Sequence, residues 1–325
     1  MDGLFALAAA NILSPMVLCF ALGFGAALAR SDLSVPEAAA KALSLYLLFA
    51  IGFKGGVSVA QSGVGVDLVA ALLAGTVLSA AIPILAFAIL RAISRLSVVD
   101  AAAVAAHYGS ISVVTFVAGT SALDGAGIAY EGYMVAVAAA MEAPAILSAL
   151  WLIGKKGGTA EREDGLLREI LLNGSIVLLV GAFAIGWATG RDGMARIDAF
   201  IVAPIQGGLC LFLLDMGLVA GRGFLSARGD LKAPVIVFGL VMPLIGGILG
   251  LVAGLLIGLS AGGLALLVTL SASASYIAVP AAMRVALPEA NPSIYLTLSL
   301  GVTFPFNLTV GIPVYIAAAT LVAGS

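Results

Sequence analysis

The chain has 325 residues, 62% of them apolar and 10% charged, and its 15 basic and 17 acidic residues give a formal charge of −2. Soluble domains carry about 25% charged residues, so the composition excludes a soluble enzyme, a disordered chain and a disulfide scaffold. The near-neutral balance leaves no basic footprint for nucleic acid.

In chain order, apolar runs fall near 9–29, 36–60, 67–91, 99–122 and 130–153, then 169–189, 198–221, 232–258, 262–287 and 293–322. A membrane crossing takes about 20 mostly apolar residues, so these runs predict an all-α integral membrane protein with ten transmembrane helices. The only long polar connection, 154–168, begins near Lys155-Lys156-Gly157-Gly158. It separates a first five-helix half, 1–153, from a second, 169–325. Cys19 and Cys210 both lie in apolar runs and read as buried small hydrophobes rather than a redox pair. The first basic residue, Arg30, follows the first apolar run, so no secretory signal is expected.

Basic residues set the orientation, because short cytoplasmic connections are enriched in them. With the N-terminus outside, the cytoplasmic connections hold Arg30, Lys41, Arg91, Arg95, Lys155, Lys156, Arg162, Arg168, Arg222, Arg228, Lys232 and Arg284. Only Arg191 and Arg196 fall outside, and Lys54 lies within a span. Both termini are therefore expected to face outward across the cell (plasma or inner) membrane.

Five spans per half means that the halves insert in opposite directions, the plan of an inverted repeat. At a single offset of 165, Ile51-Gly52 matches Met216-Gly217, Gly56 matches Gly221, Ser110 matches Ser275 and Tyr130 matches Tyr295. Glu142 falls opposite Asn307. A chain rich in Gly and Ala self-matches by chance, but several matches at one offset favour the repeat.

Small hydroxyl residues cluster midway along spans four and nine. The fourth reads His107-Tyr108-Gly109-Ser110-Ile111-Ser112-Val113-Val114-Thr115, and the ninth Ser271-Ala272-Ser273-Ala274-Ser275-Tyr276-Ile277-Ala278-Val279-Pro280. Close helix packing uses such residues. The alternative, which the matched positions favour, is a pair of interrupted helices meeting near the midplane. Unwound backbone at that depth belongs around a cavity, and half-helix N-termini there would favour an anion.

Charges within spans are costly and usually functional. Lys54 and Asp215 occupy equivalent segments of spans two and seven, where a two-fold axis could join them as an ion pair or proton-linked pair. Equally, Lys54 could snorkel to an interface and Asp215 could bond a backbone group. Glu142, in Met141-Glu142-Ala143-Pro144, is a third candidate. The only histidine, His107, reads first as a packing residue. Asp100, Asp124 and Glu131 sit at span ends, where a solvated carboxylate needs no special role.

These residues resemble the sodium-dependent bicarbonate transporter family of bacteria and cyanobacteria, over nearly the whole chain from Ser14-Pro15 to Gly324. The landmarks are Ile51-Gly52 with Gly55-Gly56, Val99-Asp100-Ala101, Ile128 to Glu131, Met141-Glu142-Ala143-Pro144-Ala145, and Pro288-Glu289-Ala290-Asn291-Pro292-Ser293-Ile294-Tyr295. The resemblance implies symport of bicarbonate with sodium through a core domain moving against a gate domain, in a homotrimer with a P-II-like regulatory protein. It also implies substrate binding by Gly109, Ser110, Ser112, Thr115, Ser273, Ser275 and Ile277, with Tyr276 standing where cyanobacterial members carry an aspartate. Those members also carry Ser-Gly-Ser-Thr at 112–115 and a neutral residue at Lys54. Coupling candidates are Lys54, Asp215, Glu142 and Asn307.

The alternative function is proton-coupled transport of a carboxylate on the same fold, motivated by Lys54, Asp215 and Tyr276. An intramembrane enzyme and a passive channel rank lower. No His-Glu-x-x-His pattern is present and one histidine with two separated cysteines builds no usual zinc site, so no enzyme, cofactor or metal centre is expected beyond sodium as a coupling ion.

Overall fold

The structure is a computed structural model and describes residues 12–63, 65–155, 172, 174–226, 232–276, 279–280, 283 and 287–323. Ile277, the basic residues Lys156, Arg162, Arg168, Arg228 and Arg284, and the connection from residue 156 to its end lie outside the described residues.

Serine and asparagine caps start several helices, because their side-chain oxygens accept the free amides of a first turn. Helix α1 (Pro15–Leu28) follows Ser14, with proline at its first position. Then come α2 (Glu37–Ser62), α3 (Val66–Ile93), α4 (Val98–Gly109), α5 (Val113–Ala126), α6 (Met134–Ala140) and α7 (Ala143–Lys155). After the polar connection come α8 (Gly174–Ile201), α9 (Ile205–Ser226), α10 (Ala233–Leu256), α11 (Ala261–Ser271) and α12 (Pro292–Leu296). From α12 the chain continues through π-helical turns, Thr297–Thr303 and Asn307–Gly311, into α13 (Ile312–Ala323). Ser97 caps α4, Ser112 caps α5, Ser260 caps α11 and Asn291 caps α12. Among the described residues there is no strand.

Among the described residues, seven helical stretches are long and apolar enough to cross a membrane: Glu37–Gln61, Val66–Ile93, Val98–Ala126, Met134–Leu152, Ile205–Leu225, Ala233–Leu256 and Pro292–Ala323. The other three expected runs hold the short α1 and α11 and the bent α8. The sixth run extends past its expected end at 189, turning at Gly190, whose φ of 56° is open to glycine. Large apolar side chains face outward along α3 (Leu73, Val77, Ile84) and α10 (Ile248, Val252, Leu256), as lipid contact requires. The middle of the stretch Val98–Ala126, from Ala101 to Gly119, is buried apart from a half-buried Val113.

Two packing groups build the molecule. In one, α2 lies along α8 and α1 along α9. A side chain at Gly56 would overlap the Phe183 carbonyl, and one at Gly217 the Phe20 carbonyl. A Cβ at Gly52 would sit 2.6 Å from the Leu179 oxygen, and one at Gly221 2.9 Å from the Phe24 oxygen. These glycines are the pairs matched at offset 165, and each pair meets carbonyls four residues apart on its partner helix. The second group sets α3 against α4 and α10 against α11, with α7 on α3 and α4, and α13 on α11.

Cys19 and Cys210 are free, half-buried and close to one another across α1 and α9. The pairing of those two helices makes neighbours of cysteines that the sequence reads as unrelated.

Candidate functional site

The helix of span four stops at Gly109 and restarts at Val113, with extended backbone at Ser110 (φ −88°, ψ 148°). Glycine is needed at 109, since a Cβ there would overlap the Pro83 ring of α3. Span nine leaves helical geometry after Ser271, and Ala272 to Tyr276 form its break.

Each break satisfies the other's backbone. The Ser112 amide donates to Ser273 Oγ (2.9 Å), and Ser273 Oγ donates to the Leu270 carbonyl (2.8 Å). The Ser275 amide donates to the His107 carbonyl (2.7 Å). Ser112 Oγ accepts the Thr115 amide (3.2 Å), so Ser112 serves the N-terminus of α5 and the neighbouring break together. Ser110, Ser112, Thr115, Ser273 and Ser275 are all buried. Ser110 Oγ has no hydrogen-bond partner, and the Tyr276 hydroxyl points toward Ser112 without a well-formed bond. The Tyr276 ring stands edge-on to Phe304, 5.1 Å between centroids. His107 Nδ1 lies 2.6 Å from the Ala103 carbonyl and the ring stacks on Tyr295, while Nε2 is buried without a hydrogen-bond partner.

A narrow pocket opens between the two packing groups. Ser44 and Leu48 of α2 and Phe212 of α9 form one wall, and Ser112, Ser275, Tyr276 and Glu142 the other. Sequence reasoning missed the first wall; its only polar member, Ser44, is one hydroxyl in an apolar run and gives no signal. Gly109, Ser110, Thr115 and Ser273 do not line the pocket.

Glu142 and Asn307 both interrupt regular helix: Glu142 in the turn between α6 and α7, Asn307 at the start of a π-helical turn. Their surroundings differ. Asn307 is satisfied, with Nδ2 donating to the Ala272 carbonyl (2.8 Å) and Oδ1 accepting from the Tyr315 hydroxyl (2.8 Å). Glu142 is 2% exposed and its Oε2 has no partner.

Two expectations are corrected. Lys54 and Asp215 form no salt bridge and neither lines the pocket. The reason is packing: at the level of Lys54, α2 is committed to α8 through Gly52 and Gly56, not to α9. Asp100 and Glu131, read as merely solvated, are tied down. Asp100 Oδ1 accepts the Asn291 amide (2.8 Å), while Glu131 accepts the Ser260 amide (2.8 Å) and hydroxyl (2.9 Å). Thus the start of span four is joined to the start of span ten, and the start of span five to the start of span nine.

A comparison with curated proteins finds no match. A family model, described as the Na+-dependent bicarbonate transporter superfamily, matches residues 15–320, nearly the whole chain, and the chain therefore belongs to that superfamily.

Proposed function

We propose that this membrane protein is a secondary active transporter that moves bicarbonate with sodium by alternating access. The observation that carries the proposal is the pocket between the two packing groups, walled on one side by the mutually bonded breaks of spans four and nine. The N-terminus of α5, with the hydroxyls of Ser112 and Ser275 on the pocket wall and the unpartnered Ser110 hydroxyl at the same break, supplies donors suited to a small oxyanion. In this reading α1, α2, α8 and α9 form the gate and the remaining helices the core. Sliding of one group on the other would expose the pocket to alternate sides.

Ten spans arranged as two inverted halves, 1–153 and 169–325, belong to the same proposal. The packing supports it: exchanging the halves turns α2 on α8 into α9 on α1, α3 on α4 into α10 on α11, and the Asp100–Asn291 tie into the Ser260–Glu131 tie. Both termini outside the plasma membrane, a homotrimer and a P-II-like regulator complete the reading from sequence.

The test is uptake of labelled bicarbonate into proteoliposomes holding the purified chain. An inward sodium gradient is expected to drive accumulation, and replacing Ser110 and Ser275 together by leucine to abolish it. Accumulation driven equally well without sodium would overturn sodium symport; normal transport by the double variant would overturn the site.

A further inference from the structure

The two halves of the pocket region treat equivalent polar residues differently. Asn307 uses both ends of its amide to hold the span-nine break against Tyr315. Glu142, at the matching position, faces the pocket with Oε2 unpaired and 2% exposure, and no Lys or Arg among the described residues bridges to it. An isolated buried carboxylate is strongly disfavoured unless a cation or a proton accompanies it. It is also misplaced beside an anion site, since its charge would repel the substrate that the α5 N-terminus attracts.

A cation between carboxylate and anion resolves both conflicts. We propose that Glu142 is the carboxylate ligand of the coupling ion, a single sodium, bound in the pocket with hydroxyl oxygens of Ser112, Ser275 or Ser44 and next to the substrate anion. This rests on the reading of the chain as a sodium-driven anion transporter. One carboxylate balances one monovalent charge. Among the described residues no group of three or more His, Cys, Asp or Glu side chains gathers, as a protein site for a divalent metal commonly requires. Hard cations prefer such oxygen ligands, and unwound segments add backbone carbonyls to them. Coupling then follows from charge: sodium on Glu142 turns a repelling pocket into an attracting one, so the anion binds well only after the ion.

The experiment uses the purified full-length chain and Glu142→Gln, which keeps the shape and removes the charge. Thermal unfolding is followed while sodium chloride replaces choline chloride, without and with bicarbonate, and sodium-driven uptake is measured in parallel. For the wild type, sodium alone should raise the melting temperature. For E142Q, the half-saturating sodium concentration should rise at least 30-fold and sodium-driven accumulation should vanish, with a melting temperature in choline no lower than wild type. Should E142Q fail to fold, Glu142→Asp is expected to shift sodium half-saturation at least tenfold. An unchanged sodium response in the folded variant overturns the proposal, as does wild-type transport driven by a pH gradient in zero sodium. If wild type moves no bicarbonate yet shows a sodium shift that E142Q lacks, the cation site stands and the substrate reading falls.

Discussion

Ser112 and Ser273 stand 161 positions apart in the chain, yet the amide of one donates to the hydroxyl of the other over 2.9 Å. The bond joins two unwound segments, each at mid-span and each with polar backbone that lipid cannot satisfy. It explains why a serine is needed at 273: the hydroxyl accepts from Ser112 while donating to Leu270. Ser273→Ala leaves a buried N–H without an acceptor and should cost about 1–3 kcal/mol, read as a lower melting temperature with reduced uptake. Ser273→Thr keeps the hydroxyl and should recover part of both.

Ser110 provides the contrast. It is 1% exposed and its Oγ has no partner, so Ser110→Ala removes an unsatisfied group and should leave stability within about 0.5 kcal/mol or raise it. If the hydroxyl serves the substrate, bicarbonate uptake should fall all the same. A loss of stability equal to that of Ser273→Ala would show instead that Ser110 has a structural bond.

Much of this was legible in sequence because membrane residence and mid-span breaks leave strong local marks. The apolar runs locate the helices, and the clusters at 107–115 and 271–280 locate the breaks. Gly52, Gly56, Gly217 and Gly221 stand out at one offset since two helices in backbone contact tolerate no side chain at those positions. What stayed hidden depends on partners chosen in three dimensions. Nothing near Asp100 announces Asn291, and nothing near Glu131 announces Ser260. Lys54 and Asp215 look like a pair by repeat position, yet they form no salt bridge, and α2 around Lys54 packs on α8. Glu142 and Asn307 look equivalent in sequence; only their hydrogen bonds separate a satisfied latch from an unpaired carboxylate.

The two carboxylate ties are expected to act independently, because they brace opposite ends of the broken helices. Asp100→Ala frees the Asn291 amide and the Ser97 hydroxyl, and Glu131→Ala frees both donors of the Ser260 cap. Each should lower stability by about 1–2 kcal/mol, by similar amounts since each carboxylate accepts from two donors. The double variant should equal the sum within about 0.5 kcal/mol, measured by thermal or denaturant unfolding in a fixed detergent. A markedly smaller combined loss would mean the ties share one structural unit.

Glycine substitutions separate contact from flexibility. At Gly56 a methyl group would strike the Phe183 carbonyl, while at Gly181 on α8 there is open space. Gly56→Ala should therefore push α2 off α8, lowering expression and melting temperature and, with the gate deformed, uptake. Gly181→Ala should be neutral or stabilising by up to about 1 kcal/mol, the helix preference of alanine over glycine. Equal damage from the two changes would count against close contact between α2 and α8.

Cys19 and Cys210 give a direct check on the partner pairing, α1 with α9. Both thiols are free, half-buried and within reach of one another. They come from spans one and seven, so only a fold that brings the first helix of one half onto the second helix of the other makes them neighbours. Mild oxidation in detergent with a membrane-permeant copper–phenanthroline reagent should join them within one chain, read as a mass loss of about 2 Da and protection of both cysteines from maleimide. Cys19→Ser should abolish the protection of Cys210 and leave no cross-linked species. Persistent labelling of both thiols in the oxidised wild type would instead separate α1 from α9 and remove the exchange symmetry on which the inverted arrangement depends.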